Sequence, residues 1–257
     1  MLQGDPGTAA GTLDRAEIDR FARLATEWWD PNGKFRALHR IGPARIGFLR
    51  DEMLRHFGRP ATGMRPLEGL SVLDVGCGGG LICEPLARLG ARVTGLDPAV
   101  ENVEAARQHA AGGALGITYR AGRVEELAAE GLTFDAVVCL EVVEHVPDPA
   151  AFLRASAALI GPGGLMLLST INRTLKAYLL AIVGAEYVLR WLPVGTHRWD
   201  RFITPDELAR HLRAAGLEAP VIKGLVYNPL ADTWTLGSDT DVNYLAAAAK
   251  PAAAAPL

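Results

Sequence analysis

The sequence predicts a Rossmann-like, doubly wound α/β sheet, and three observations predict it. Short β-branched runs alternate with helix-period stretches from Ser71 onward. The first run, with Val72, Leu73 and Val75, breaks at Gly76-Cys77-Gly78-Gly79-Gly80-Leu81, and a helical pattern follows. Such a turn brings bare backbone close to a ligand. The next run, Arg92 to Asp97, ends in an acid at the place where doubly wound sheets hydrogen-bond a ribose.

From Asp14 to Trp29, the residues Ile18, Phe21, Ala25 and Trp28 recur at helical spacing and predict an amphipathic helix. The following WWDPNGKFRALHRIGPARIGFL crowds tryptophans, arginines and a histidine around a turn. Pro43 suits the first position of a second helix, with Ile46, Leu49 and Met53 on one face. Residues 13–60 then form a helical layer that caps the sheet, a lid able to deliver Arg45 or Arg36 to a carboxylate. Strands fit near 71–76, 92–97, 117–121, 134–140 and 164–171, and helices near 79–89, 100–111 and 148–160. Pro85 conflicts with the first of these helices, which it should kink or restrict. Thr204 and Glu207 make a capping box for a helix after Pro205, and strand-like VIKGLVY and DVNYLA follow. The expected total is seven strands, the last two antiparallel, in a single domain over 13–249. Residues 1–12 read as disordered and 250–257 as an Ala/Pro tail.

The 257 residues are globular in composition, 49% hydrophobic and 21% charged, and the net charge of −3 argues against a polyanion-binding chain. Cys77, Cys83 and Cys139 have neither metal-ligand spacing nor an even count, so they read as small apolar filling in a reducing compartment. No run reaches the roughly 18 apolar residues of a spanning helix, and the N-terminus has no secretory pattern. A cytoplasmic protein is expected, at most attached peripherally to the inner face of a membrane.

Two ligand classes use a glycine turn of this kind. A dinucleotide fingerprint would need glycine where Leu81 stands, and Asp74 would repel a pyrophosphate. The string with Asp74, Gly76 and Gly78 resembles motif I of the S-adenosylmethionine-dependent methyltransferases, whose cofactor has a sulfonium and no phosphate. On this reading Asp97 grips the ribose.

FDAVVCLEVVEHVPDP is the second informative stretch. Ala136 to Leu140 make a buried strand, and Glu141, Glu144 and His145 follow at its C-terminal end, where ligands of open α/β sheets sit. The element is similar to motif IV of many methyltransferases. Three uses stay open. Glu144 and His145 could be structural; all three side chains could converge on a divalent cation such as Mg²⁺ that chelates a catechol's oxygens; or His145 could be a general base.

Residues 172–203 exceed a minimal connection. Leu175, Tyr178, Leu179, Ile182, Val183, Tyr187, Leu189 and Trp191 alternate with Arg173, Lys176, Arg190, Arg198 and Arg201. This reads as an in-plane helix over 173–191 at a membrane surface, or as a substrate-domain helix pair or dimer interface. Basic residues that cluster with aliphatics give no phosphate-tracking groove, so no nucleic-acid partner is expected.

WWDPNGKFRALHRIGPAR, VLDVGCGGGL, VTGLD, EHVPDP, STINRT, VGAEYVLR, PVGTH, YNPLADTW and DVNY together closely resemble the ubiquinone-biosynthesis O-methyltransferases, from about Phe21 to Tyr244. The resemblance implies a class I methyltransferase sheet and methyl transfer from S-adenosylmethionine to a polyprenylated catechol. Carried over by position, it puts the cofactor at Arg45, Gly76, Asp97 and Leu140, with Arg45 on the methionine carboxylate. It also implies a divalent metal at Glu141, Glu144 and His145, peripheral membrane attachment and partner enzymes of the pathway. One departure is Arg123, which stands where many methyltransferases place an Asp for adenine; backbone near Val124 takes that role instead.

Overall fold

The computed structural model describes residues 14–188, 195–196, 198–228 and 230–253. The expected disorder of 1–12, the contributions of Leu189, Arg190 and Trp191, and the end of the Ala/Pro tail lie outside these residues. β1 (Ser71–Val75), β2 (Arg92–Asp97), β3 (Thr118–Ala121), β4 (Phe134–Leu140) and β5 (Ile160–Ile171) pair in parallel. They are joined by α3 (Cys83–Arg88), α4 (Val100–Ala111), α5 (Val124–Ala129) and α6 (Pro149–Ala158). After α8 (Pro205–Ala214) come β6 (Val221–Asn228), β7 (Thr233–Gly237) and β8 (Asn243–Ala249), and the sheet order is β3-β2-β1-β4-β5-β8-β6-β7. β8 runs antiparallel to β5 and β6, and β7 antiparallel to β6.

Strand alternation builds the two cores. Val72, Val138 and Leu167 face one layer with Phe48, Leu49, Met53 and Leu86, whereas Leu73, Val137 and Met166 face Leu127, Phe152 and Leu208 on the other. The three free, buried cysteines are part of this packing, Cys77 and Cys83 in the first layer and Cys139 in the second.

Four expectations need correction. The sheet has eight strands among the described residues, because Thr233–Gly237 makes a hairpin with β6. Its Thr-Trp-Thr pattern is mostly exposed at a sheet edge, so it gives too little apolar signal to be read as a strand. Pro43 lies inside α2 (Arg36–His56) rather than at its start. One missing donor is outweighed there by the burial of Ile41, Phe48, Leu49 and Met53 on both sides of it. The long first amphipathic helix is α1 (Arg15–Ala22) followed by a separate single turn at Ala25–Glu27. The helix expected over 79–89 is shortened to α3, which starts at Cys83 and so places Pro85 in the first turn, where no donor is needed.

α7 (Leu175–Ala177) continues into wide i→i+5 turns over Tyr178–Val188. Leu175, Tyr178, Leu179 and Leu180 stand exposed along it. No helix among the described residues is long and apolar enough to cross a membrane.

Candidate active site

The glycine turn is closed from two sides. The N–H groups of Gly76 and Cys77 donate to Leu96 O at 2.8 and 3.1 Å, which locks the end of β1 onto β2. Gly76 has φ +72°, and a Cβ there would lie 2.5 Å from Val142 Cγ2; Gly78 has φ +51°, and its Cβ would strike the Trp28 indole. Both backbone sign and space therefore demand glycine.

Asp97 fastens this turn. Its Oδ2 accepts Gly78 N–H at 2.9 Å, while its Oδ1 accepts from Ala99 N at 2.9 Å and Asn102 Nδ2 at 3.1 Å. Burial raises its pKa above the usual carboxylate range, and these three donors oppose the shift. Oδ1 is filled by its two donors, and Oδ2, with one, keeps lone-pair capacity for a hydroxyl. Trp28 Nε1 donates to Asn102 Oδ1 at 2.8 Å, and Trp29 Nε1 to Gly79 O at 2.8 Å, so the helical N-terminal layer is wired to the same turn. Asn102 is not among the expected site residues, although a polar residue on the buried side of α4 is a usable signal.

At the end of β4, Glu141 adopts φ +55°, an uncommon conformation for a non-glycine residue. Its N–H donates to Ser169 O at 3.1 Å, and its Oε1 accepts Ser169 Oγ at 2.6 Å and Arg45 Nη2 at 2.7 Å. His145 Nδ1 lies 3.0 Å from Glu17 Oε2 on α1. Burial opposes ionisation of Glu17, but the hydrogen bond to His145 holds its carboxyl below the usual range. No sequence pattern marked Glu17, because the contact joins residues far apart in the chain.

A cavity of about 1120 Å³ lies over the C-terminal ends of β1, β4 and β5, lined by Arg45, Asp74, Gly76, Asp97, Leu140, Glu141 and His145 among others. The structure thus brings seven of the ten expected site residues together. Gly78 contributes through its N–H to Asp97, beneath Trp28. Val124 packs at the start of α5 in the second core layer and does not line the cavity.

Glu144 is the third residue outside it. Fully buried, it accepts from Thr170 Oγ1 at 2.9 Å on Oε2, and its Oε1 has no hydrogen-bond partner among the described residues. Burial first, then the charge of Glu141, pushes its pKa up to about 8, so it is largely protonated at neutral pH. Asp74 is likewise buried, accepts from Cys83 Sγ at 3.2 Å, and is pushed up to about 7 chiefly by burial. The expectation that Glu141, Glu144 and His145 converge on Mg²⁺ is therefore corrected. One is paired with Arg45, one is buried against Thr170 and one is turned to Glu17. No group of three His, Cys, Asp or Glu side chains among the described residues is arranged to hold a metal ion. As they stand, these donors do not fit a divalent cation.

A methyltransferase-domain family model matches residues 42–220. Among solved structures, magnesium protoporphyrin IX methyltransferase from Synechocystis PCC 6803, with bound S-adenosylhomocysteine, superposes with a TM-score of 0.62 at 22% identity, covering 92% of this chain and 95% of that one. A methyltransferase of Thermotoga maritima gives 0.63 at 17%, covering 91% and 99%. With the glycine turn tied to an acid ending β2, this fold defines a class I S-adenosylmethionine-dependent methyltransferase. Ubiquinone biosynthesis O-methyltransferases are much closer in sequence. That of Azorhizobium caulinodans is 54% identical over 92% of this chain and 94% of its own length, and that of Chelativorans sp. is 52% identical over 98% and 100%. The chain belongs to the ubiquinone biosynthesis O-methyltransferase family, and it is an S-adenosylmethionine-dependent O-methyltransferase.

Proposed function

We propose that the chain methylates a phenolic hydroxyl of a polyprenylated catechol in ubiquinone biosynthesis. The observation that carries this reading is that Asp97, Arg45 and His145 face one cavity, larger than the roughly 300–1,000 Å³ of common single-ligand sites. When bound, the cofactor supplies an electrophilic methyl group on sulfonium.

The residues present suit that cofactor. Asp97 offers its carboxylate to the ribose, the Gly76 backbone gives close approach, Leu140 forms an apolar wall and Arg45 reaches a carboxylate. His145, held at Nδ1 by Glu17, takes the phenolic proton. Bound S-adenosylmethionine would supply the methyl group to the phenolate oxygen with S-adenosylhomocysteine as the leaving group, while His145 holds the proton. Glu17 stabilises that imidazolium. The rest of the acceleration is in-line positioning. Residues 13–60 act as a lid, since α1 brings Glu17 to His145 and Trp28 covers Gly78.

The helix after Leu175, with its exposed apolar row beside Lys176 and Arg173, meets a membrane surface, where a long-tailed acceptor resides. The enzyme works there at the inner face of the membrane, next to the other enzymes of the pathway. Turnover of labelled S-adenosylmethionine with a short-chain prenyl catechol tests the assignment. Label retained in the cofactor, with S-adenosylhomocysteine bound normally, would refute the choice of acceptor.

A further inference from the structure

α2 carries two interior glycines, Gly42 and Gly47, in a setting where glycine is among the poorest helix formers. Neither has positive φ, and a Cβ on either would meet no heavy atom within 4 Å. They differ in this from Gly76 and Gly78, whose absent side chains make room for the protein itself. Both line the large cavity. The space they leave is therefore space for a ligand.

Another part of the lining is the β6–β7 hairpin, whose second strand the seven-strand plan lacks. Ile171 ends β5 level with Asn243, and Asn243 is level with Leu225. Tyr227 thus stands two residues further on within β6, about 7 Å past the level where β5 ends, on the ligand side. Its cross-strand partner is Trp234, with ring centroids 5.2 Å apart. Both aromatic side chains line the cavity along with Leu225 and Ile46. Asp232 at the hairpin turn accepts Tyr227 Oη at 2.6 Å and Arg40 Nη1 of α2 at 3.1 Å, which fixes the width of the trough between helix and hairpin.

We infer that this trough seats the first isoprenoid units of the acceptor, and that Gly47 and Trp234 select for a prenylated ring. The inference rests on the polyprenyl catechol reading above. An isoprenoid chain has no hydrogen-bonding groups, so its recognition depends on apolar walls and on the absence of obstruction, and both are present here. The trough also continues the cofactor cavity without a break, so a ring placed at His145 can extend its tail along α2.

The test compares catechols carrying farnesyl or methyl at the same ring position, using the full-length protein. Gly47→Leu should raise KM for the farnesyl acceptor about tenfold and for the methyl acceptor less than threefold, with S-adenosylhomocysteine affinity within about twofold of wild type. Gly47→Ala should raise Tm by a few degrees, through helix propensity, while it weakens farnesyl selectivity in the same direction. Trp234→Ala removes the hairpin's part of the lining and leaves α2 intact; it too should raise the farnesyl KM more than the methyl one. Equal changes on both acceptors, or none on farnesyl, would overturn the inference. Wild-type protein that methylates neither catechol would overturn it differently, through the reading it rests on.

Discussion

Arg45 and Glu141 form a 2.7 Å ion pair inside the cavity, with only 5% and 17% of their side chains exposed. The pair joins the N-terminal helical layer to the end of β4, and it sets the charge at the place expected for the methionine carboxylate. Removing one partner strands the other in a poorly solvated site, whose cost is about 3 kcal/mol or more. Arg45→Ala should weaken S-adenosylhomocysteine at least tenfold while affecting 5′-methylthioadenosine, which has no carboxylate, much less. Calorimetry with both ligands checks this, and equal losses would remove Arg45 from carboxylate recognition.

Asp97→Ala should abolish cofactor binding. The substitution removes the acceptor for the ribose, and it also releases Gly78 N–H, Ala99 N–H and Asn102 together. Asp97→Asn keeps only part of this acceptor set and should bind at an intermediate level. Retained cofactor affinity in the alanine variant, measured by calorimetry, would contradict the site.

Glu144 gives a pH signature. Its folded-state pKa near 8 lies above the ordinary value of 4.5. A raised pKa makes a contribution to stability that is complete below about pH 4 and is lost as pH rises through about 8. Glu144→Gln keeps an acceptor for Thr170 and cannot ionise. Relative to wild type its Tm should improve as pH rises from 5 to 9, by about 3 °C for each ~1 kcal/mol recovered. A parallel pair of Tm–pH curves would show that Glu144 does not titrate in this window.

Chelation separates the uses of the Glu141–His145 turn. Proton transfer to His145 requires no cation in the present arrangement, so turnover should survive EDTA. Loss of turnover that Mg²⁺ restores would mean that substrate binding parts Glu141 from Arg45 and rebuilds the turn around a metal.

Leu175 and Leu179 are 72% and 51% exposed on the helix proposed to meet the membrane. Replacing both with Asp should reduce co-sedimentation with anionic liposomes severalfold and leave S-adenosylhomocysteine affinity unchanged. Undiminished sedimentation would shift that surface to another partner.

The sequence by itself determined the parallel half of the sheet, the glycine turn and the acid that ends β2. Those features are local: β-branched runs, glycines and a fixed strand–turn–helix spacing carry them, and the family strings add the chemistry. What tertiary structure decided were contacts between distant segments. Glu17 reaches His145, Asn102 links Trp28 to Asp97, and Arg45 meets Glu141 across a cavity. It also decided the protonation of Glu144, which looks like an ordinary ionised glutamate until burial removes the water that would stabilise its charge. The strand of Trp234, which pairs with the expected strand of Tyr227, belongs to the same class, since an exposed edge strand lacks the apolar alternation that betrays a buried one.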